Sequence, residues 1–365
     1  MKIRLFAGGY TEPILQGTGE IVEGRCKGIS TYAFDTDTGR LQAVLAPCPT
    51  PNPSYIIVSP DGRYLYCANE LKNYHEVDGS TISAFTIEAQ SGQLRRLNTQ
   101  ATCGEDACHL TLSPDGRFLL AANYSGGNFC MFPLHADGTP APAACVISHV
   151  GNGLDPHRQS SPHPHQVLPA PDRRHIYVAD LGLDRLKCYR ADWGRRRLIP
   201  EEEGDVVGIP GQGLRHGAFS GDGRFLYVMT ELRCELNVYA FDEGAPRLME
   251  VYHCLPDGRD ASALGAGVRI HPNGRWLYCS VRGVDQLLTF EIGGNGLLRL
   301  LQSISSGGRG PREFALSPDG RYLLAGNQDT DNISVFVIDE DTGVLSPTGY
   351  CADAPSVTTI AFAPR

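Results

Sequence analysis

Ser113–Asn123, SPDGRFLLAAN, is the segment from which the architecture of this chain can be read. The apolar run CHLTL precedes it, the pair Asp115-Gly116 lies at its centre, and a second apolar run follows. Two short apolar runs joined by an Asp-Gly pair are typical of a tight β-hairpin, because both central turn positions favour residues that tolerate positive φ. The segment therefore predicts two adjacent antiparallel strands.

The same hairpin recurs along the chain. Its turn residue, an Asp or an Asn, falls at positions 61, 115, 172, 222, 273 and 319, at intervals of 54, 57, 50, 51 and 46 residues. Each hairpin is followed by a strand such as ISAFTIE (Ile82–Glu88), a glycine-containing turn and a fourth, less regular strand. A repeat of this length with four strands is typical of a β-propeller blade.

The two ends of the chain supply a seventh repeat. TTIAFAPR (Thr358–Arg365) matches the first strand of the hairpin, and KIRLFAGGYT (Lys2–Thr11) matches the second. We therefore predict a single all-β domain over residues 1–365, a seven-bladed β-propeller with four antiparallel strands per blade. Its first blade is closed by the C-terminal strand, which removes two strand edges that would otherwise be open to aggregation.

Composition excludes several classes of function. The net charge of −9 argues against a general nucleic-acid or anionic-membrane binder, and no apolar run reaches the length of a membrane-spanning helix. The N-terminus enters a strand directly, which argues against a signal peptide. The twelve cysteines are scattered, without a CxxC pair, as expected for reduced thiols in a cytoplasmic protein. We expect a monomer or weak homodimer with no cofactor.

Candidate functional residues lie at one end of the predicted ring. The long segments 11–28, 70–80 and 147–163 all open on this end, where a site is expected. Aligning the repeats allows equivalent positions to be compared around the ring, both at the entrance of the innermost strand and at the exit of the second strand. These positions are diverse and polar, whereas the hairpin turns at the opposite end are nearly uniform. The candidates at these positions are His165, Arg215, His216, Glu231, Arg282 and Arg312, with Glu70 and Gln328 at equivalent positions in two other blades.

The residue types at this end suit an anionic, oxygen-rich ligand. Arginine guanidinium groups bind carboxylate and phosphate oxygens in bidentate geometry, and a histidine or glutamate beside them can act as a general base. The alternative is a structural network of ion pairs that plugs the channel. His163 and His165 are spaced like metal ligands, but no matching Cys or carboxylate spacing supports a metal, so none is expected.

The chain resembles the seven-bladed propeller lactonases, a family that includes bacterial 6-phosphogluconolactonase and fungal muconate cycloisomerase. The motifs that carry the resemblance are HQV at His165, GLRHGAF around Arg215, TEL at Glu231, VRG at Arg282 and GPREF at Arg312. The resemblance implies a catalytic set of His165, Arg215, Glu231 and Arg282. Gly267 departs from the family pattern, which often has an acidic residue at this position.

The resemblance implies a metal-independent lactonase acting on a small anionic lactone, foremost 6-phosphogluconolactone. Arg282 and Arg312, together with Arg185 from the DLGLDRL segment, would hold phosphate or carboxylate oxygens, and Arg215 would stabilise the oxyanion. Either His165 or Glu231 would activate the attacking water, and the lower expected pKa of a carboxylate among arginines favours His165. Two alternatives remain open, a cycloisomerase or lyase acting on a muconate-type acid and a non-catalytic binding platform.

Overall fold

The computed structural model describes residues 1–74, 77–241, 246–255 and 262–364. Seven antiparallel sheets, counted within these residues, form a ring of blades; six have four strands, and one has the same four strands with a short fifth, which confirms the predicted seven-bladed propeller. Helical structure in the same residues is limited to one 3₁₀ turn, Glu202–Gly204. No helix in these ranges is long and apolar enough to cross a membrane.

The four strands of each blade follow one another from the channel outward. Blade 1 consists of Val357–Phe362, Lys2–Gly9, Ser30–Asp35 and Leu41–Ala43. Blade 2 consists of Pro53–Val58, Tyr64–Asn69, Thr81–Ile87 and Leu94–Ala101. Blade 3 consists of Ala107–Leu112, Phe118–Asn123, Asn128–Pro133 and Cys145–Ser148. Blade 4 consists of Pro164–Pro169, His175–Asp180, Arg185–Asp192 and Arg197–Pro200.

The remaining blades repeat this order. Blade 5 consists of Leu214–Phe219, Phe225–Thr230, Glu235–Ala240 and Arg247–His253. Blade 6 consists of Leu264–Ile270, Trp276–Arg282, Gln286–Ile292 and Leu298–Ser305. Blade 7 consists of Pro311–Leu316, Tyr322–Asn327, Asn332–Ile338 and Leu345–Asp353. The additional short strands are Ile14–Leu15 with Ile21–Val22, Asn73–Tyr74 with Val77–Asp78, and Val206–Val207 beside the third strand of blade 4.

The repeated SPDGR motif forms the hairpin turn at the lower end of a blade. In blade 3, Asp115 accepts hydrogen bonds from the Ser113 hydroxyl (2.6 Å) and from Arg117 Nε (2.7 Å). Gly116 has φ of 70°, a backbone conformation that glycine adopts without steric cost. The same contacts recur in blades 2 and 5, so the motif is structural.

The C-terminal strand closes the ring, as predicted. It pairs antiparallel with the N-terminal strand, with Leu5 opposite Phe362 and Gly8 opposite Thr359. Its side chain Ile360 is buried in the same hydrophobic cluster as Leu5. The inner strands of neighbouring blades contact each other around the whole channel, and Val357–Phe362 takes its place between blades 7 and 2. Arg365, the end of the predicted strand segment, lies outside the described residues.

A β-bulge interrupts the inner strand pairing of every blade near its upper end. The pairing skips one residue in most blades, between Ala107 and His109 in blade 3 and between Pro164 and Gln166 in blade 4. The other blades shift at the same point. A bulge re-aims the side chain that it displaces from the regular alternation. In blade 4 the bulged residue His165 consequently lines an upper cavity, while the next residue lines the lower channel.

Deletion of Thr358–Arg365 tests the closure of the ring. The truncated chain would expose the inner edge of blade 1 and the apolar side chains packed against Ile360, so we expect loss of soluble, folded protein. Deletion of Arg365 alone is the matched control and should leave thermal unfolding unchanged. A long truncation that melts cooperatively near the wild-type temperature would contradict the observed closure.

Candidate active site

The upper mouth of the channel contains a partly enclosed cavity. Polar side chains from most of the blades converge on it instead of lying on a flat surface. Five of the nine residues predicted from the sequence to form the site line this cavity. They are Glu70, His165, Glu231, Arg282 and Arg312.

The Glu231 carboxylate is the centre of the site. Its Oε2 accepts a hydrogen bond from Arg215 Nε (2.8 Å) and is paired with Arg282 (3.0 Å). Its Oε1 is hydrogen-bonded to Arg158, which reaches the site from the loop between blades 3 and 4. Glu231 is only 5% exposed. Charge-assisted hydrogen bonds on both oxygens hold the carboxylate in one orientation.

Buried arginines determine the protonation of Glu231. Burial alone would raise the pKa of Glu231, but Arg282, Arg158 and Arg215 more than offset this effect and hold its pKa well below the ordinary value. Burial and the neighbouring arginines lower the pKa of Arg282 to about 10, which leaves it charged at neutral pH. Glu231 is therefore a fixed anion within a cationic cluster and a weak proton acceptor.

His165 lies beside this cluster as a neutral imidazole. It is 5% exposed, and burial followed by the charge of Arg215 lowers its pKa well below that of an ordinary histidine. Neither ring nitrogen is hydrogen-bonded to a residue in the described ranges, and Nδ1 is completely enclosed. The ring packs edge-on against Tyr124 and His216, with centroid distances of 5.7 and 5.1 Å. Because Nδ1 is enclosed, a water molecule in the cavity can reach the imidazole only through Nε2, which would be the acceptor.

Arg312 is the arginine of the cavity that is not bound to Glu231. Its guanidinium lies 5.7 Å from the centre of the Tyr10 ring and makes no hydrogen bond to the part of the chain that the structure describes. The Tyr10 hydroxyl donates a hydrogen bond to Glu70 Oε1 (3.1 Å). Burial tends to lower the pKa of Arg312, but Tyr10 and Glu70 raise it above the ordinary value. Arg312 therefore carries a permanent positive charge with donors available to a ligand.

Four of the predicted residues do not line the cavity. Arg215 lies behind Glu231, 2% exposed, and also donates to the Ala266 carbonyl (2.9 Å), so the structure gives no support to its predicted contact with the oxyanion. His216 faces the lower channel, with its Nδ1 3.9 Å from Glu313.

Arg185 was expected to hold phosphate oxygens, but it begins the third strand of blade 4 and is half exposed beside Asp205. Gln328 is buried near Arg25, which donates to its backbone oxygen.

Gly267, the departure from the family pattern, lies next to Glu313 and Phe314 of blade 7. A Cβ at this position would meet Phe314 Cε1 at 3.0 Å and Glu313 Oε1 at 3.2 Å. Glu313, contributed by blade 7, forms an ion pair with Arg269 (3.1 Å). A carboxylate from the neighbouring blade therefore occupies the space next to this glycine.

Register comparison of the repeats missed Arg158, because it lies in the loop before the inner strand of blade 4, which has no counterpart in the other repeats. The hairpin of Ile14–Leu15 and Ile21–Val22 also contributes to the cavity through Gln16 and Gly17. A Cβ at Gly17 would lie 2.7 Å from the Tyr124 hydroxyl, so the hairpin packs closely over this wall. The sequence feature that could have indicated both contributions to the cavity is the unusual length of segments 11–28 and 147–163.

The described residues contain no group of three His, Cys, Asp or Glu side chains placed to share a metal ion. His163, the partner proposed for His165 in such a site, stacks on Tyr124 at 4.4 Å and its Nδ1 lies 3.0 Å from the Tyr124 carbonyl. These contacts explain the conformation of His163 without a metal.

Comparisons with known proteins agree with this architecture. Residues 4–362 match the family model described as lactonase, 7-bladed beta-propeller. The chain belongs to the seven-bladed β-propeller lactonase family. It is 30% identical over 333 residues to the 6-phosphogluconolactonase of Bacillus subtilis (strain 168), covering 90% of this chain and 92% of the relative.

Further relatives carry related names. A 6-phosphogluconolactonase of Formosa agariphila is 29% identical and is matched over 87% of this chain and 90% of its own length. The solved structure of a periplasmic gluconolactonase from Pseudomonas aeruginosa superposes with a TM-score of 0.91 at 32% identity, covering 100% of this chain and 99% of that one. The family and these names indicate a hydrolase that acts on lactone esters.

Substitution Glu231→Gln tests the central ion cluster. The variant leaves the buried Arg215 and the largely buried Arg158 and Arg282 without their counter-charge, and breaking a buried ion pair in this way costs about 3–5 kcal/mol of unfolding free energy. The matched control is Glu291→Gln, because Glu291 forms an exposed pair with Arg299 (2.6 Å) that should contribute less than about 1 kcal/mol. Urea unfolding at pH 7 measures both values.

The pH dependence of this difference follows from the lowered pKa of Glu231. The stabilisation by its charge is fully present above the unfolded-state pKa of about 4.3 and disappears as the pH falls through the lower folded-state pKa. The stability difference between wild type and Glu231→Gln should therefore be constant between about pH 8 and 5 and shrink only at more acidic pH. A Glu231→Gln protein as stable as wild type at pH 7 would contradict the account of the cluster.

Proposed function

We propose that this protein hydrolyses a phosphorylated sugar lactone, foremost 6-phosphogluconolactone, to the corresponding hydroxy acid. The observation that carries the proposal is the unoccupied His165 imidazole beside a carboxylate fixed by arginines, within a cavity at the mouth of a lactonase-family propeller. The names of the B. subtilis and F. agariphila relatives support the substrate class.

Hydrolysis begins with a water molecule bound next to His165. The neutral imidazole accepts a proton from this water as its oxygen attacks the lactone carbonyl carbon, and the new C–O bond forms the tetrahedral intermediate. Glu231 orients the arginines and, through its negative charge, favours the imidazolium that His165 becomes. Arg215 is a positioning residue in this scheme, because it holds Glu231 from behind.

Arg282 and Arg158 are the candidate donors to the intermediate. Each retains a buried Nε that has no partner among the described residues, and each lines the cavity. Their fixed positive charges would stabilise the oxyanion where it develops. Collapse of the intermediate breaks the bond between the carbonyl carbon and the ring oxygen, and His165 returns its proton to that oxygen. The product is the open-chain hydroxy acid, which ionises at neutral pH.

Arg312 is the candidate for binding the phosphate group. It carries a full charge, and it makes no hydrogen bond to a described residue that an incoming anion would have to displace. The other guanidinium groups of the site are bound to Glu231. In this proposal Arg312 binds the phosphate group, while the Glu231 cluster acts at the lactone carbonyl.

The structure does not favour the two rival functions. A binding platform would present its polar ring on an open surface, whereas these residues are buried around a cavity. A cycloisomerase would need a carboxylate basic enough to remove a carbon-bound proton, and the arginines keep the pKa of Glu231 well below its ordinary value.

The pH profile of kcat/KM on freshly generated 6-phosphogluconolactone, corrected for spontaneous hydrolysis, tests the proposal. Because the pKa of His165 is lowered, wild-type activity should stay constant down to about pH 6.5 and fall only at more acidic pH. In His165→Gln, kcat/KM should fall by about 10²–10⁴-fold and should no longer decrease further at acidic pH. In Glu231→Gln, kcat/KM should be lower than in wild type at every pH but should show the same decrease at acidic pH. An active His165→Gln protein with an inactive Glu231→Gln protein would assign the base to the carboxylate.

Substitution Arg312→Lys tests the phosphate contact. One ammonium group cannot reproduce the bidentate contacts of a guanidinium, so kcat/KM for 6-phosphogluconolactone should fall about tenfold more than kcat/KM for glucono-δ-lactone. Arg309→Lys, at an exposed position of the same blade, is the matched control and should not alter either value. An equal loss on both lactones would move Arg312 from phosphate binding to the reaction.

We also propose that the protein acts in the cytoplasm. All twelve cysteines, which lie within the described ranges, are free thiols, and seven of them are buried. Reduced thiols in this number are typical of a reducing compartment. Fractionation of the native host, with periplasmic and cytoplasmic marker enzymes, measures the location directly, and recovery in the periplasmic fraction would contradict the proposal.

A further inference from the structure

The wall of the cavity opposite the Glu231 cluster is acidic. Glu70 follows the second strand of blade 2, and Asp106 precedes the inner strand of blade 3. Both residues line the cavity, and Asp106 is close enough to raise the pKa of Glu70. Glu231 and Arg282 come from blades 5 and 6, which lie across a seven-bladed ring from blades 2 and 3. We refer to Glu70 and Asp106 as the acidic wall.

Each carboxylate of the acidic wall has one oxygen without a donor. Glu70 is 7% exposed, and its Oε2 has no hydrogen-bond partner in the described ranges, while Tyr10 occupies Oε1. Asp106 is 3% exposed; Lys72 lies 3.1 Å from its Oδ2, and its Oδ1 is likewise unpartnered. The Ser54 hydroxyl donates to the Ala107 carbonyl (3.3 Å) and also lies within hydrogen-bonding reach of Glu70, whose pKa it lowers.

Two unpartnered acceptors at a cavity wall indicate a bound molecule that donates hydrogen bonds. Leaving a buried acceptor without a donor destabilises the folded protein, and native proteins contain few such groups. A cationic ligand is disfavoured by Arg158, Arg282 and Arg312 on the same cavity. A phosphate or carboxylate bound directly to Glu70 or Asp106 is disfavoured by charge repulsion, whereas one bound at Arg312 has that guanidinium as its counter-charge. Neutral hydroxyl groups are the donors that fit this side.

We propose that Glu70 and Asp106 determine substrate specificity by accepting hydrogen bonds from the hydroxyl groups of a polyhydroxylated sugar lactone. The ester carbonyl of the same molecule then faces His165 and the Glu231 cluster across the cavity. This inference rests on the lactonase function proposed above, and it adds the residues that distinguish a sugar lactone from an unhydroxylated ring ester of the same size.

Burial, and then the charge of Asp106, raise the pKa of Glu70, against the opposing effect of Arg312. The carboxyl group keeps an acceptor lone pair in either protonation state. The Tyr10 hydroxyl bond to Oε1 fixes the orientation of the group toward the cavity. The acidic wall can therefore accept hydrogen bonds from hydroxyl groups whether Glu70 is protonated or ionised.

The test compares two six-membered lactones, glucono-δ-lactone and δ-valerolactone, which lacks every ring hydroxyl. The full-length wild type, Glu70→Gln and Asp106→Asn are assayed for kcat/KM at constant pH, with correction for spontaneous hydrolysis. Each variant replaces one acceptor oxygen by a donor NH₂ group. We expect kcat/KM for glucono-δ-lactone to fall about 10- to 100-fold, and at least tenfold more than for δ-valerolactone. If δ-valerolactone turns over too slowly, its inhibition constant against glucono-δ-lactone gives the same comparison.

The matched control is Glu105→Gln, which removes one negative charge next to Asp106 from an exposed side chain that pairs with Lys72 (3.4 Å) and does not line the cavity. It should leave activity on both lactones within about twofold of wild type, since rim charges contribute little. Thermal unfolding of each variant establishes that it is folded. Should Glu70→Gln fail to fold, Glu70→Asp, which retracts the carboxylate but keeps its charge, should show the same selective loss.

The outcomes separate this inference from the proposed function. An active wild type whose variants lose activity equally on both lactones, or lose none, would overturn the specificity role and leave the lactonase proposal standing. A wild type that prefers δ-valerolactone to glucono-δ-lactone would also overturn it. A wild type that accelerates neither lactone nor 6-phosphogluconolactone would remove the lactonase proposal and this inference with it.

Discussion

A β-bulge at the same point of every inner strand is the constraint on which the site depends. Regular strands would direct alternate side chains into the contacts between blades, where apolar residues fill the space. The bulge displaces one residue per blade from this alternation at the upper mouth of the channel. Three of the residues displaced in this way, Cys108, His165 and Arg312, line the upper cavity.

The buried Glu231 carboxylate organises the residues that the bulges and loops bring together. Three arginines from three different segments meet on it, so one anion aligns donors that the chain separates widely in sequence. The same arginines hold the pKa of the carboxylate low and make it a weak base, while burial, together with the charges of Arg215 and Arg312, lowers the pKa of the adjacent His165 and keeps it neutral. An anion that does not accept protons beside an imidazole that can accept one is an arrangement suited to activating water for ester hydrolysis.

Local patterns made the fold and part of the site predictable from the sequence. The Asp-Gly turns and apolar runs specify hairpins over short distances, and their regular spacing specifies blades and ring closure. Register then located His165, Glu231, Arg282 and Arg312, because equivalent positions in the repeats occupy equivalent places around the mouth.

Features without a repeat could not be found in this way. Arg158 lies in a loop that has no counterpart in other blades, and its contact with Glu231 depends on the path of that loop. The exposed position of Arg185 follows from the strand Val206–Val207 and from Asp205, which pack beside it after a non-repeating turn. The place of Arg215 behind the carboxylate depends on side-chain direction at the bulge, which sequence spacing alone does not specify.

The protonation state of His165 tests the central claim most directly. Nitrogen chemical shifts of labelled histidine side chains, assigned by comparison with His165→Gln, report it as a function of pH. The account predicts a neutral His165 ring that begins to protonate only well below the ordinary histidine pKa. A His165 that is already protonated at neutral pH would contradict it.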